Sequence, residues 1–516
     1  MTTDNAGSLD GAPALPAVPG TPFGSSGDVG FLAMTDRVLR LLRTRPELAA
    51  LAAFPFDFDV DRADHVEEVH LASGASLEPI AGDDTGGTYF LCAGSAVLYA
   101  SSEGDAVLIA DSVSEAVEML VRVPRYCEDI SGDLDEDQLR AAVDAADAQA
   151  REDFAPELDA HRAALLAGLG LPDRPLTELV ALMEAAVERT DPDYLLLNSH
   201  ELRAYRLMDE SSRRPLRDIV LDPGRAMLAR VRAGDPGARD EAVADAVLRA
   251  GVVRAAQYDR RDGDLPLLRS LLERETAERG TEWYTERQIA AMLVALHGEE
   301  EDLPRVRAAT DGAAGSGAEC VLDWARAMDA DRYGQDPDTE SEFTWTELAR
   351  RQGRTEHARV ALIRMLDDTG PDAERLVALS HALERLGDHA QAARAQSDFL
   401  SLQDTDHDRA TAAGALARME RHKGDLAAAR KALERARESV GAVPLGHRRR
   451  IGCLITEQHL ELALAAAEAG DATLARETMA HGKVLLSKTA GHYAKALSEL
   501  STRAKWAVAA LGRDSR

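Results

Sequence analysis

The chain is poor in aromatic residues, with nine Phe, nine Tyr and four Trp among 516 residues. That scarcity, with Ala, Leu and Arg recurring throughout, suits helices packed through small contacts better than a large β-sandwich. Cysteine is equally sparse. Cys92, Cys127, Cys320 and Cys453 form no CxxC pair, so their spacing specifies neither a disulfide framework nor a zinc site. No run of about 18 apolar residues occurs, and no membrane span is expected. The first basic residue is Arg37. No charged stretch therefore precedes an apolar one, which argues against a signal peptide and for a cytoplasmic protein.

Lysine is absent from residues 1–133, where 22 Asp/Glu stand against seven Arg. Residues 408–516 reverse the balance, with 19 Lys/Arg against 12 Asp/Glu. The formal net charge of the whole chain is −30. An acidic body repels phosphates, so general nucleic-acid binding is not expected. It does attract basic proteins. Arg448, Arg449 and Arg450, after His447, are the sharpest basic cluster. They lack interleaved aromatics for stacking on bases and read as a salt-bridged inter-helix linker.

Signatures of chemistry are also missing. There is no GxSxG and no HExxH. The Gly-rich stretch from Gly82 to Gly87 is followed by a strand pattern rather than GK[ST] and a helix, so it reads as a turn. Asp57, Asp59, Asp61 and Glu68 mimic a calcium loop, but Arg62 replaces the glycine that makes its sharp turn. No catalytic residue, metal or cofactor is assigned, and the chain is read as non-enzymatic. The rival is an enzyme with dispersed residues in 134–342, which would show itself as a deep pocket with perturbed titratable groups.

What is present is an architecture. Residues 1–29, rich in Gly, Pro, Ser and Ala, read as a disordered tail. An amphipathic helix follows, with Phe31, Met34, Val38, Leu41 and Leu42 on one face. Between Leu77 and Ala110 the period changes to short β-rich runs, which predicts an antiparallel meander of about four strands. A helix capped by Ser112 or Ser114 closes this unit near residue 130. Residues 131–342 read as helical. Within them the apolar run at Tyr194–Asn198 could be strand or helix, and the loops 311–318 and 334–342 are places for function. In 343–516, Gly353, Gly387, Gly424 and Gly470 open similar phrases 34, 37 and 46 residues apart. Each has an Ala five residues on: Ala358, Ala392, Ala429 and Ala475. The predicted class is mainly α: a small α+β module with an antiparallel sheet, then an α-solenoid of helical hairpins.

The four Gly phrases resemble the inter-helix turns of tetratricopeptide repeats, in which a Gly and a following Ala let two helices approach closely. The family's helix-A aromatics are missing. The segment IAGDDTGGTYFLC with AVLYASSEGDAVLIADSVSEAVEMLV resembles the SUKH (SMI1/KNR4-like) superfamily. Gly82, Asp83, Gly86, Gly87, Tyr89 and Tyr99 take that family's places, followed by Ala110, Asp111 and Ser112. The aromatic-rich helical start of the family is poorly matched. Bacterial members include immunity proteins that neutralise toxin domains. The resemblance therefore implies a partner-binding module, with Asp83, Asp84, Gly86, Gly87, Tyr89 and Tyr99 as candidate contacts for a basic toxin. The expected function is non-catalytic protein binding, as an immunity-type antagonist or a scaffold. The alternative is a regulatory or signalling repeat protein with a nucleic-acid or peptide ligand.

Overall fold

The computed structural model describes residues 36–123, 130, 132–210, 213–278, 280, 282–442, 448–488 and 491–511. The expectations placed on residues 1–35, including Phe31 and Met34, and on Cys127 and His447 lie outside these. The chain begins with α1 (Arg37–Thr44) and α2 (Pro46–Ala53), then β1 (Val69–Leu71), β2 (Leu77–Gly82), β3 (Thr88–Cys92), β4 (Ala96–Ala100), β5 (Asp105–Ala110) and α3 (Val113–Arg122). Asp36 caps α1 through the N–H groups of Val38 and Leu39. Ser112 caps α3 by accepting from Glu115 N–H. Strands β2 to β5 form the expected antiparallel meander, with Tyr89 opposite Tyr99 and Phe90 opposite Leu98.

Four helices follow: α4 (Glu136–Asp153), α5 (Leu158–Leu169), α6 (Leu176–Val187) and α7 (Thr190–Asp193). The chain then returns to the module as β6 (Leu196–Asn198), in a separate two-stranded sheet, and β7 (Arg206–Leu207), at the edge of the meander. Strand β6 pairs antiparallel with β1, and β7 adds to β5 in parallel. The module expected to end near 130 therefore draws two strands from 196–207. Strands of three and two residues are too short to leave a period in the sequence.

Alternation along the sheet explains its burial. Tyr89, Val97, Tyr99 and Val107 pack with Val38, Leu42, Val113 and Val117 on one face. Phe90, Leu98 and Leu108 pack with Leu71, Leu196 and Tyr205 on the other. With both faces covered, every residue of β4 is buried. The same alternation acts at β6. Leu196 enters the sheet core, while Leu195 and Leu197 enter a separate cluster with Val360, Ile363, Leu376 and Ala392. The three-leucine run is thus a wall shared by two cores.

The central helices are α8 (Leu216–Arg232), α9 (Ala238–Ala244), α10 (Ala246–Tyr258), α11 (Leu265–Glu278), α12 (Tyr284–Leu296), α13 (Leu303–Ala309) and α14 (Ala318–Met328). At Gly224 of α8 a Cβ would lie 2.1 Å from the Gly251 carbonyl oxygen of α10, so the helices cross where neither has a side chain. Arg249 is fully buried and bonds Glu275 at 2.5 Å, Glu278 at 2.5 Å and the Val243 carbonyl at 2.6 Å. A buried guanidinium survives only when its donors are spent in this way.

The repeat region forms hairpins: α15 (Glu342–Arg351) with α16 (Thr355–Asp367), α17 (Ala373–Arg385) with α18 (His389–Ser401), α19 (Asp406–Lys423) with α20 (Leu426–Ala442), and α21 (Arg448–Glu468) with α22 (Ala472–Ser487). After them come α23 (Gly491–Ala496) and α24 (Ser498–Ala510). All four predicted turn glycines are left-handed, with φ of +74°, +78°, +94° and +80°. Each closes its helix by a two-bond terminator. Gly387 N–H, for example, reaches the Glu384 carbonyl, and Asp388 N–H reaches that of Leu383. Asp388, Asp425 and Asp471 then accept from N–H groups of the next helix. The Gly-Asp pair therefore stops one helix and starts its partner. Ala358, Ala392, Ala429 and Ala475 are all fully buried. Trp324, Trp345 and Trp506 stand isolated in the sequence and read there as core or inter-helix packing; Trp345 is buried, but Trp506 on α24 is 67% exposed. Its expected core role is overturned, because α24 is the last helix described and buries only Ser501 and Ala504.

Two predictions follow from this packing. At Gly424 an added Cβ meets nothing, so Gly424→Ala costs only the left-handed backbone, about 1 kcal/mol. Gly224→Ala drives a Cβ into backbone and costs roughly 3 kcal/mol. Urea unfolding of the two variants distinguishes them. The second prediction concerns His459 of α21. Burial pushes its pKa from 6.5 down to about 4, and Arg437 and His481 add to the effect. Between pH 6.5 and 4 the unfolded chain binds a proton that the folded chain refuses. Stability falls with pH across that window by about 3 kcal/mol, and nothing is lost above it. His459→Gln flattens this part of the profile in denaturant titrations.

Candidate interaction sites

The turn joining β2 to β3 is organised by one carboxylate. Asp83 Oδ1 accepts from Thr85 N–H at 2.9 Å, the Thr85 hydroxyl at 2.9 Å and Gly87 N–H at 2.8 Å. Its Oδ2 accepts from the Tyr99 hydroxyl at 2.6 Å. Charge-assisted bonds of this kind are the strong ones. A Cβ at Gly87 would meet that hydroxyl at 2.2 Å, which is why glycine stands there. Asp83, Gly87, Tyr89 and Tyr99 are all buried. The sequence places these four among the candidate partner contacts; in the structure Asp83, Gly87 and Tyr99 meet one another inside the turn, and Tyr89 lies beside Tyr99. Only Gly86 and Asp84 reach the surface, and Asp84 lies 3.5 Å from Arg62.

Beside this turn runs the loop 61–68. Asp61, Asp64, Glu67 and Glu68 are exposed, and Val66 between them is 79% exposed. The loop is anchored from beneath. His65 contacts the Thr88 hydroxyl at 3.0 Å and the Tyr205 hydroxyl at 2.9 Å. Tyr205 donates to Glu67 at 3.1 Å, and Asn198 donates to the same carboxylate at 2.8 Å. Burial lowers the His65 pKa, and burial with the neighbouring Glu67 holds the Tyr205 phenol above its ordinary range.

The module meets the repeats through its return segment. Arg364 of α16 is buried, holds Asp191 at 3.2 Å and donates to the Tyr205 carbonyl at 2.6 Å. Asp367 accepts from Ala204 N–H at 3.0 Å and pairs with Arg394 of α18 at 2.6 Å. Gln391 and Arg394 both donate to the Leu202 carbonyl, at 2.7 and 3.0 Å. This face of α16 and α18 is therefore occupied by residues 202–205 of the same chain.

A cleft of about 810 Å³ lies beside that junction. Its walls come from residues 188–193, Glu210, residues 213–219, the loop 337–342 and helix α16. The loop 334–342, singled out as a place for function, contributes Pro337, Asp338, Glu340 and Glu342. The cleft itself had no signal in the sequence, because its lining is scattered from Glu188 to Arg375. His357 lies in it with its pKa lowered by burial and by Arg354, against a smaller opposing effect of Asp193.

At the basic end, Arg448, Arg449 and Arg450 open α21, and Arg450 is exposed. Cys92 is buried, while Cys453 is half-buried against the last hairpin's core. Among the described residues no group of three or more His, Cys, Asp or Glu is placed to hold a metal. No described helix is long and apolar enough to cross a membrane. Compared with known proteins, the chain matches no family model, no curated protein and no solved structure.

The turn gives a direct test of burial against exposure. Asp83→Ala strips acceptors from Tyr99 and Gly87 and costs about 3 kcal/mol. Asp84→Ala, on an exposed and screened pair, costs less than about 0.5 kcal/mol. Equal losses in chemical denaturation would refute the internal role given to Asp83.

Proposed function

We propose that the chain is a non-catalytic protein-binding protein whose acidic N-terminal module docks a basic partner. The observation that carries this reading is the 61–68 loop. It sets an exposed Val66 among Asp61, Asp64, Glu67 and Glu68, with Asp84 reaching Arg62 of the same loop. An apolar centre among side chains that are mostly acidic, with Arg62 facing Asp84, combines short-range contact with long-range steering of an opposite field. Its underside is fixed by His65, Tyr205 and Asn198, so little ordering entropy is lost on binding.

The meander, the buried Asp83–Tyr99 pair and the Ala110-Asp111-Ser112 step into α3 support the SUKH resemblance. On that resemblance the partner is a toxin domain and the mechanism is steric and electrostatic occlusion. The left-handed glycines and buried alanines of the four hairpins support the tetratricopeptide resemblance, with the array acting as the scaffold behind the module.

A second reading is favoured by one feature. Trp506 is exposed on α24 beside Arg503 and Lys505, which have no ion-pair partner among the described residues. An aromatic on a cationic helix fits the regulatory alternative, with a nucleic-acid or peptide ligand held at the basic end.

The test compares the wild-type chain with Asp61→Asn/Asp64→Asn/Glu68→Gln/Asp84→Asn as baits in the native cytoplasm. Glu67 is left intact because it supports Tyr205. The expected result is a basic protein bound by the wild type and lost from the variant, whose melting temperature is unchanged. Retention of the same protein by both baits contradicts the reading. Recovery of nucleic acid, lost on Arg503→Glu/Lys505→Glu, moves the function to the basic end.

A further inference from the structure

The cleft of about 810 Å³ between the module and the first hairpin has the size of a small-molecule site. Its floor includes Leu216, Ile219, Val360, Ala361 and Met365, which offer apolar contact. Its charges are unevenly matched. Five acids of the lining already face arginines, the half-buried Asp191 and Glu340 and the exposed Asp193, Asp338 and Glu342, with Asp193 lying 3.9 Å from Arg189. Asp191 holds Arg364 at 3.2 Å, and Glu340 holds Arg254 at 3.0 Å and the Tyr258 hydroxyl at 3.2 Å. Asp338 is paired with Arg217, and Glu342 with Arg375 at 2.7 Å.

Arg354 is different. It is half-buried in the same cleft, with no ion pair and no side-chain hydrogen bond among the described residues. His357, three residues on along α16, is half-buried beside it, and the two are electrostatically coupled. A half-buried guanidinium without a counterion leaves several donors unsatisfied in a site partly withdrawn from water. The unpaired acids Glu188, Glu210 and Asp368 do not answer it, because all three are exposed at the rim, as is Arg213.

We propose that this cleft binds a small organic oxyanion, a phosphate ester or a carboxylate, whose charged group pairs with Arg354 and whose body lies on the apolar floor. His357 supplies a second donor beside the anion. The acidic rim selects against extended polyanions, whose neighbouring charges would have to cross Glu188, Glu210 and Asp368. A compact ligand with its charge at one end avoids them. This site is independent of the acidic loop on the module and asks nothing of the protein partner.

The test is calorimetric titration of the full chain with ADP, with citrate and with neutral adenosine, each up to about 5 mM. The expected result is binding of ADP, citrate or both, and none of adenosine. ADP alone assigns a phosphate ligand, and citrate alone a carboxylate. Arg354→Gln weakens the bound anion at least about tenfold, and Arg354→Lys recovers part of it. Because Arg354 makes no ion pair and no side-chain hydrogen bond among the described residues, both variants keep a melting temperature close to that of the wild type without ligand. Three results overturn the proposal: no binding of either anion by the wild type, equal binding of adenosine and ADP, or an Arg354→Gln affinity equal to that of the wild type.

Discussion

The fold depends on one run of three residues serving two hydrophobic cores at once. In an extended strand, successive side chains point to opposite faces. Leu196 therefore completes the far face of the sheet, while Leu195 and Leu197 complete the core of the first repeat hairpins. Neither core is closed without this segment. The sheet would expose Phe90, Leu98 and Leu108, and the hairpins would expose Val360 and Ile363. Burying a leucine is worth about 2 kcal/mol, so three leucines tie the two parts by an amount comparable to the stability of a small domain.

The polar contacts at this junction follow from the same constraint. A short return strand leaves backbone groups at its ends that cannot be paired within a sheet. The repeats supply their partners: Arg364 for the Tyr205 carbonyl, Asp367 for Ala204 N–H, and Gln391 with Arg394 for the Leu202 carbonyl. Arg364 is in turn neutralised by Asp191, so no buried charge is left alone. Residues 36–516 behave as one compact unit in consequence. The acidic loop at 61–68 is braced by Tyr205 and Asn198, residues that belong to the segment clamped on the array. That loop is thus mechanically connected to the repeats. The cleft beside Arg364 is a second consequence, because the segment 188–193 and α16 form two of its walls.

Much of this was legible in the sequence, and the reason is local. The Gly-Asp phrases announce a left-handed helix stop followed by a helix cap, and that chemistry is written in adjacent residues. The meander was legible because its strands are five or six residues long and bounded by Gly turns. The Asp83, Gly87 and Tyr99 grouping was legible as a unit, but its purpose was not. Sequence shows that an Asp sits beside glycines. It does not show whether the carboxylate faces solvent or collects four donors inward. The unalternating leucines of 195–197 did carry a signal, since a strand buried on both faces reads as a continuous apolar run. A run that short does not distinguish strand from helix, and nothing local says that its second face meets Val360 and Ile363, more than 160 residues later. Trp506 was misjudged because composition places Trp inside, and only the position of α24 at the end of the stack leaves it out.

The central claim is that the module and the array share one core through this strand. Hydrogen exchange on wild-type and Leu197→Ala chains tests it most directly. Leu197 packs in the repeat cluster and not in the sheet cluster. If the two cores are coupled, Leu197→Ala speeds exchange of the β3–β5 amides together with those of α16 to α18, by a similar free energy of about 2–3 kcal/mol. Faster exchange confined to the helices, with the sheet amides unchanged, would show two independent cores and contradict the account.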